Sequence, residues 1–291
     1  MRITGSRLID LAAASTTKNQ TSVGAVSAQL SSGLRVTTPS DDPAAWVAAQ
    51  RTKLHQALSQ GSGAAAAASR DRLAMTDNAL ASISDVVSQV QTLAVQGASD
   101  TYSAADRAAL GAEVHGLVLA ALGSANAKGY DGEYLLAGDA SLAEPFDPAG
   151  VYQGDAAVRV VPSDDSLTGA TTIPGSTLTA AHGVDVLPVL ARVAAALTSN
   201  DMPTLLAALP DLATAVKQLA ATRSQTGAAM SSLDQTTASR AVLEQDMTQA
   251  ISRYVEVDTV SAAGELAKAS QSLEVSRAVS SHIISLLAPS T

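Results

Sequence analysis

Cysteine does not occur anywhere in the 291 residues, which excludes disulfides, thiol nucleophiles and cysteine-based metal sites. Aromatic residues are almost as scarce, at 2% with one Phe and one Trp. That removes the stacking platforms on which single-stranded nucleic acid is bound. Charge is thin and lopsided: the net value is −9 and the isoelectric point near 4.8. An acidic chain repels phosphates, so nucleic acid is excluded as a partner. No uninterrupted apolar run reaches the roughly 18 residues that span a bilayer, and no membrane insertion is expected. The opening Met-Arg-Ile-Thr-Gly-Ser (residues 1–6) lacks the apolar centre of a cleaved secretory signal peptide.

Recognisable chemistry is missing as well. His55, His115, His182 and His282 are far apart and form no HExxH or paired spacing, so no metal ligand set is read from them. Asp41 and Asp42 are adjacent, and neighbouring side chains diverge; they read as capping residues, not as an acid/base pair. Gly61-x-Gly63-x-x-Ala66 has the letters of a dinucleotide fingerprint but follows no strand and sits in alanine-rich helical sequence. No GxSxG elbow or phosphate loop occurs, and Asn19-Gln-Thr21 reads as an accidental glycosylation sequon. The expectation is a protein with no catalytic, cofactor-binding or metal residues, not an enzyme.

What remains is 46% hydrophobic sequence dominated by Ala, Leu and Val, a composition suited to long helices packed closely. The organising stretch is Leu-Ser-Ser-Gly-Leu-Arg-Val-Thr-Thr-Pro-Ser-Asp-Asp-Pro-Ala-Ala-Trp, residues 30–46. Gly33 can take the left-handed conformation that closes a helix, and Pro39 blocks continuation. Asp42 reads as an N-cap and Pro43 as the first residue of a new helix, where its missing N–H costs nothing.

Upstream, Leu8, Leu11, Val23, Val26 and Leu30 make a broken helical stripe, interrupted by polar residues 16–22. Such a helix is marginal alone and needs a partner. From Pro43 no proline occurs until Pro145, and Leu73, Leu80, Val87 and Ala94 fall seven apart with Ile83 and Val90 between them, a coiled-coil-like seam. Helical to Gly97, this segment runs on the order of 80 Å at about 1.5 Å per residue. A second helix, carrying Leu110, Val114, Leu117 and Ala121, is expected from residue 104 to about Lys128. Residues 129–183 change character, with Gly, Pro, Asp and Thr around β-like patches at 134–137, 151–152 and 158–161. Helix returns near Val184, breaks at residues 199–203 and continues to the C-terminal region, which ends on Ala269, Leu273, Ser276, Ser280, Ile283 and Leu287.

The predicted fold class is mainly α: an elongated antiparallel helical hairpin or coiled-coil rod with a small β-rich insertion at its tip. Three domains are expected. Residues 1–38 and 259–291 form a terminal helical domain, 39–128 and 184–258 a long-helix rod, and 129–183 a β-containing outer insertion. The seams of the long helices read as intramolecular. The end helices have little else to bury against, so Leu8, Leu11, Val23, Val26, Leu30, Leu273, Ile283, Leu286 and Leu287 are the candidate assembly interface. Gly33, Asp42 and Pro43 are the candidate hinge and capping residues.

Leu-Ser-Ser-Gly-Leu-Arg-Val followed by Pro-Ser-Asp-Asp-Pro-Ala-Ala (residues 30–36 and 39–45) resembles the N-terminal region of the bacterial flagellin superfamily. The proline after the two aspartates is similar to the superfamily's hook-filament junction branch, where flagellins usually carry alanine. Glu-Tyr-Leu-Leu-Ala-Gly (133–138), Pro145-Phe146 and Val-Tyr-Gln-Gly-Asp (151–155) resemble that branch too. Thr-Arg-Ser-Gln-Thr-Gly-Ala (222–228) and the closing Ser-Leu-Leu resemble the family's returning helix and C-terminus. Residues 163–183 carry hardly any resemblance.

What the resemblance implies is a structural flagellar subunit without cofactors, exported by the flagellar type III secretion machinery with a dedicated chaperone and without a cleaved signal peptide. It implies an extracellular place at the hook-filament junction, in a ring of copies of itself between another hook-associated protein and flagellin. Two readings stay open beside it: a flagellin filament subunit, and a helical signalling rod of the chemoreceptor kind, which would leave the insertion unexplained.

Overall fold

The computed structural model describes residues 5–160 and 170–287. Within them the chain forms α1 (Gly5–Ser32), α2 (Pro43–Gly97), α3 (Ala104–Ala125), α4 (Val186–Thr198), α5 (Met202–Val255) and α6 (Thr259–Leu287). Two short 3-10 turns, Gly175–Leu178 and Ala180–His182, precede α4. α2 passes through Gly61 and Gly63 without a break. α3 starts on a capping box, in which the Ser103 hydroxyl accepts from the Asp106 N–H while the Asp106 carboxylate accepts from Ser103.

The chain divides into two compact units, one of residues Ser59–Val242 and one of residues up to Leu58 with those from Leu243. In the first, four helical segments share a core. α2 contributes Leu80, Ile83, Val87, Val90 and Ala94; α3 Val114 and Ala121; α4 Leu187, Leu190, Val193 and Leu197; α5 Leu205, Leu212 and Leu219. These recur every three, four or seven residues, so each helix buries one stripe. Full burial of a leucine such as Leu190 contributes about 2 kcal/mol. The α2 seam residues read from the sequence, from Leu73 to Ala94, are fully buried.

Close approach sets the small residues at the α2–α3–α4 corner. A Cβ on Gly111 would lie 2.4 Å from the Thr198 hydroxyl and 2.8 Å from its backbone nitrogen. The buried Arg107 fastens the same corner, donating to the Gly97 carbonyl at 2.7 Å, the Ser99 carbonyl at 2.9 Å and Asn200 Oδ1 at 2.8 Å. α3 also has the length and apolarity to cross a membrane. Its sequence is not an uninterrupted apolar run, since Arg107 and Glu113 lie within it, and in the structure Val114 and Ala121 are core residues.

The β-rich insertion expected between 129 and 183 is corrected by the structure: the described residues contain no strand, and those of this segment carry only isolated bridges pairing Lys128 with Tyr134, Phe146 with Tyr152, and Val160 with Ala170. Val161, at the end of the third β-like patch, lies outside the described residues. Side chains satisfy the backbone here in place of a ladder. Asn126 accepts from the Phe146 N–H and donates to its carbonyl, and Asp147 accepts from the N–H groups of Ala149 and Val151. Arg159 binds Glu133, Asp139 and Ser141. Gly138, at φ +71°, lets the chain pass so near Asp155 that a Cβ would sit 2.2 Å from its carboxylate. The Tyr152 hydroxyl lies 2.6 Å from the Asp155 carbonyl and 3.0 Å from that of Leu136. The segments 133–138 and 151–155 are thereby joined to each other.

Candidate assembly surface

The second unit is built on the pairing of the two end helices. α1 turns Ala12, Thr16, Asn19, Val23, Val26 and Leu30 inward, and α6 turns Ala262, Leu266, Ala269, Leu273, Ser276, Ser280 and Ile283. Both sets alternate steps of three and four, the spacing of a coiled-coil seam. The helices run antiparallel. Thr16 and Ser280 share a hydroxyl hydrogen bond of 3.1 Å, while Asn19 Nδ2 donates to the Ser276 hydroxyl and, at 3.2 Å, to the Ser272 carbonyl.

This geometry separates the nine candidate interface residues. Val23, Val26, Leu30 and Ile283 are half-buried, and Leu273 is buried, all on the α1/α6 seam. Leu8 and Leu11 face outward, at 38% and 64% exposure. Leu286 and Leu287 belong to α6, with side chains outside the described residues. Four residues missed in the sequence, Ile9, Val275, Val279 and Ile284, are also exposed. The i, i+4 pair of Val275 and Val279, two positions off the seam at Leu273, was the available signal. Exposed aliphatic side chains on both helices leave the pair with an apolar outer face, next to a groove of about 290 Å³ between Ile9, Ala12, Thr16, Ser280 and Ile284.

The segment between α1 and α2 is held by its own small core. Gly33 has φ +71°, a conformation favoured for glycine. Beyond it, the chain runs beside the end of α5: Arg35 N–H donates to the Val255 carbonyl at 2.7 Å, and Val257 N–H to that of Gly33 at 3.0 Å. Val36, Ala45, Ala49 and Val255 are buried together, with Leu34, Trp46 and Ile251 packed on them. Asp42 Oδ1 accepts the Ala45 N–H at 3.0 Å, capping α2 immediately before Pro43. Asp41 accepts from the N–H groups of Thr37 and Thr38, at 2.9 and 2.8 Å.

These contacts hold both carboxyls below the usual aspartate range. For Asp41 the chief cause is the Thr38 N–H, followed by that of Thr37; for Asp42 it is the Ala45 N–H, followed by Arg35. Among the described residues no cluster of three His, Cys, Asp or Glu could hold a metal ion. The arrangement offers packing surfaces and caps.

Residues 9–141 match the bacterial flagellin N-terminal helical region. Over 157 residues, 53% of the chain, it is 32% identical to flagellar hook-associated protein 3 of Salmonella typhimurium, and the match spans 49% of that protein. The chain thus covers about half the length of this curated relative. The fold is similar to a putative flagellar hook-associated protein from Vibrio parahaemolyticus, with a TM-score of 0.68 at 17% identity, covering 74% of this chain and 100% of the other. It is also similar to FlgL of Xanthomonas campestris, with a TM-score of 0.61 at 18% identity, covering 70% of this chain and 99% of the other.

Proposed function

We propose that this chain, whose residues 9–141 match the bacterial flagellin N-terminal helical region and which is similar to flagellar hook-associated protein 3, is a structural subunit joining hook to filament. The observation that carries the reading is the paired α1 and α6 with their aliphatic outer face. Helices satisfied by each other alone would end in polar surface, whereas Leu8, Leu11, Val275, Val279 and Ile284 are exposed. Such a face suits packing against neighbouring copies.

In this reading residues 1–38 and 259–291 are the packing element, the long helices a spacer, and residues 129–183 the outward-facing part. The subunit is exported through the flagellar type III machinery with a chaperone and assembles outside the cell as a ring. One side of the ring meets another hook-associated protein and the other meets flagellin. The chain acts as a structural part, without catalysis.

The filament alternative differs in symmetry. A filament subunit adds to copies of itself without limit, whereas a junction subunit closes a short ring and shows a different face to flagellin. Similarity to a hook-associated protein supports the second. Deleting the gene should leave hooks intact and release flagellin into the medium, and labelled protein should form one narrow band at the distal end of the hook. Label along whole filaments would convert the reading to flagellin.

A further inference from the structure

The α1/α6 seam changes chemistry along its length. Towards the chain ends it is polar, with Thr16 and Asn19 meeting Ser276 and Ser280. Farther in, both helices present aliphatic side chains: Val23, Val26 and Leu30 on α1, Leu266 and Leu273 on α6. Continuing the observed antiparallel register sets Val23 opposite Leu273 and Leu30 opposite Leu266. A slip of one heptad sets Val23 opposite Leu266 instead, still an apolar pairing, but carries Leu30 past Leu266 to Thr259, so the aliphatic stretch discriminates between the two registers only at its inner end. The polar stretch discriminates at the other. The same slip turns Asn19 towards Ala269 and Thr16 towards Leu273, leaving an amide and a hydroxyl without their hydroxyl partners.

We propose that Asn19, supported by Thr16, fixes the register of α1 on α6 along its polar half through its hydrogen bonds to Ser276 and the Ser272 carbonyl, while the Val257 N–H to Gly33 carbonyl bond anchors the other end. A polar residue at a seam position lowers stability relative to an aliphatic one but penalises every register in which it is unpaired. The register then sets the axial distance between Leu8 and Leu11 on α1 and Val275 and Val279 on α6, and one heptad changes it by about 10 Å. This last consequence rests on the proposed packing of that face against neighbouring copies; the register assignment does not.

The absence of native cysteine gives a clean test in the full-length chain. Val23→Cys with Leu273→Cys reports the observed register, and Val23→Cys with Leu266→Cys reports the slipped one. With Asn19 present, the first pair should form its disulfide about tenfold more readily than the second, the ratio expected when one buried polar group is left unpaired. Asn19→Leu should lower the ratio severalfold while helical circular dichroism is kept. Ser276→Ala, which removes only a hydroxyl, should give an intermediate ratio and decides the matter if Asn19→Leu abolishes pairing. A lower melting temperature with an unchanged ratio in both variants overturns the proposal, as does equal cross-linking with Asn19 present. Failure of the flagellar reading would leave these ratios untouched.

Discussion

Arg35 Nη1 lies 3.1 Å from Asp42 Oδ2, closing the turn between α1 and α2, while Nη2 of the same guanidinium donates to the Tyr254 carbonyl at 3.0 Å. One side chain thus ties the turn to the start of α2 and the end of α5. Trp46, the sole tryptophan, packs on the small core beside this turn and reports on it. Asp42→Ala removes the α2 cap and the ion pair together, and is expected to shift Trp46 emission to longer wavelength and weaken amide protection at Ala45. Asp42→Asn keeps the cap and should recover most of the protection. Arg35→Ala should have the smaller effect of the two alanine changes, because the pair is half-exposed, at 44% and 32%, and solvent screens it.

Acid should loosen the same turn. Asp41 and Asp42 have folded pKa values below the ordinary 3.8, so the unfolded chain takes up protons first as pH falls. The stability they contribute is complete well above 3.8 and is lost progressively as pH drops below it through the folded values. Trp46 emission followed from pH 6 downward should change in that window. Asp41→Asn should flatten the change, since an amide does not titrate there.

At the other end of the chain's chemistry, Tyr152 titrates high, at about 12 against an ordinary 10.0, chiefly from burial and secondarily from the Asp155 carboxylate. Here the folded value is raised, so stability is intact below pH 10 and is lost between roughly 10 and 12 as the unfolded chain ionises first. Tyrosine absorbance at 295 nm during alkaline titration should show one late group. Tyr152→Phe should remove that group together with the alkaline destabilisation, at the cost of the hydrogen bond to Asp155 or Leu136.

Arg107 is a buried polar fastening at the corner of the four-helix core. Arg107→Met should cost upwards of about 3 kcal/mol, because the hydrogen bonds of a charged donor are each worth about 1.5–3 kcal/mol, three carbonyl-type acceptors lose their partner, and water recovers only part of that. Urea unfolding of the variant should show a lower midpoint with unchanged slope. A loss below about 0.5 kcal/mol would mean water replaces the guanidinium at little expense.

Why some of this was legible and some not follows from the range of the forces involved. Pro43, Gly97 and Ser103 mark helix ends through local backbone chemistry, and the structure places α2 and α3 at those marks. The α2 seam is legible because a seven-residue repeat of aliphatic side chains has few other uses. The insertion misled because 134–137 and 151–152 have β-like composition, while the Val151 N–H is taken by Asp147, the Tyr134 carbonyl by Arg72 and the Leu136 carbonyl by Tyr152, partners that no periodicity announces. On the end helices, spacing identified the stripe but not its occupant. Val23 and Leu273 look as available for a neighbour as Leu11 does, until α1 and α6 are seen to cover one another.

That distinction changes which substitutions test assembly. Ile283 lies on the seam with α1, so Ile283→Asp places a charge in the pair itself and should separate α1 from α6, with loss of helical signal. Val275 and Val279 are exposed at 57% and 50% on the other side of α6. Val275→Asp with Val279→Asp should therefore leave circular dichroism and melting temperature unchanged in the monomer. In a neighbour's interface the same two carboxylates would have to be desolvated without partners, a cost of several kcal/mol per ion, enough to abolish binding of ordinary strength. The double variant is expected to be exported and folded yet missing from flagella, measured by labelling cells and by its recovery from the medium. Incorporation at the normal level would show that neighbouring copies pack elsewhere, and Leu8, Leu11 and Ile284 would become the next residues to test.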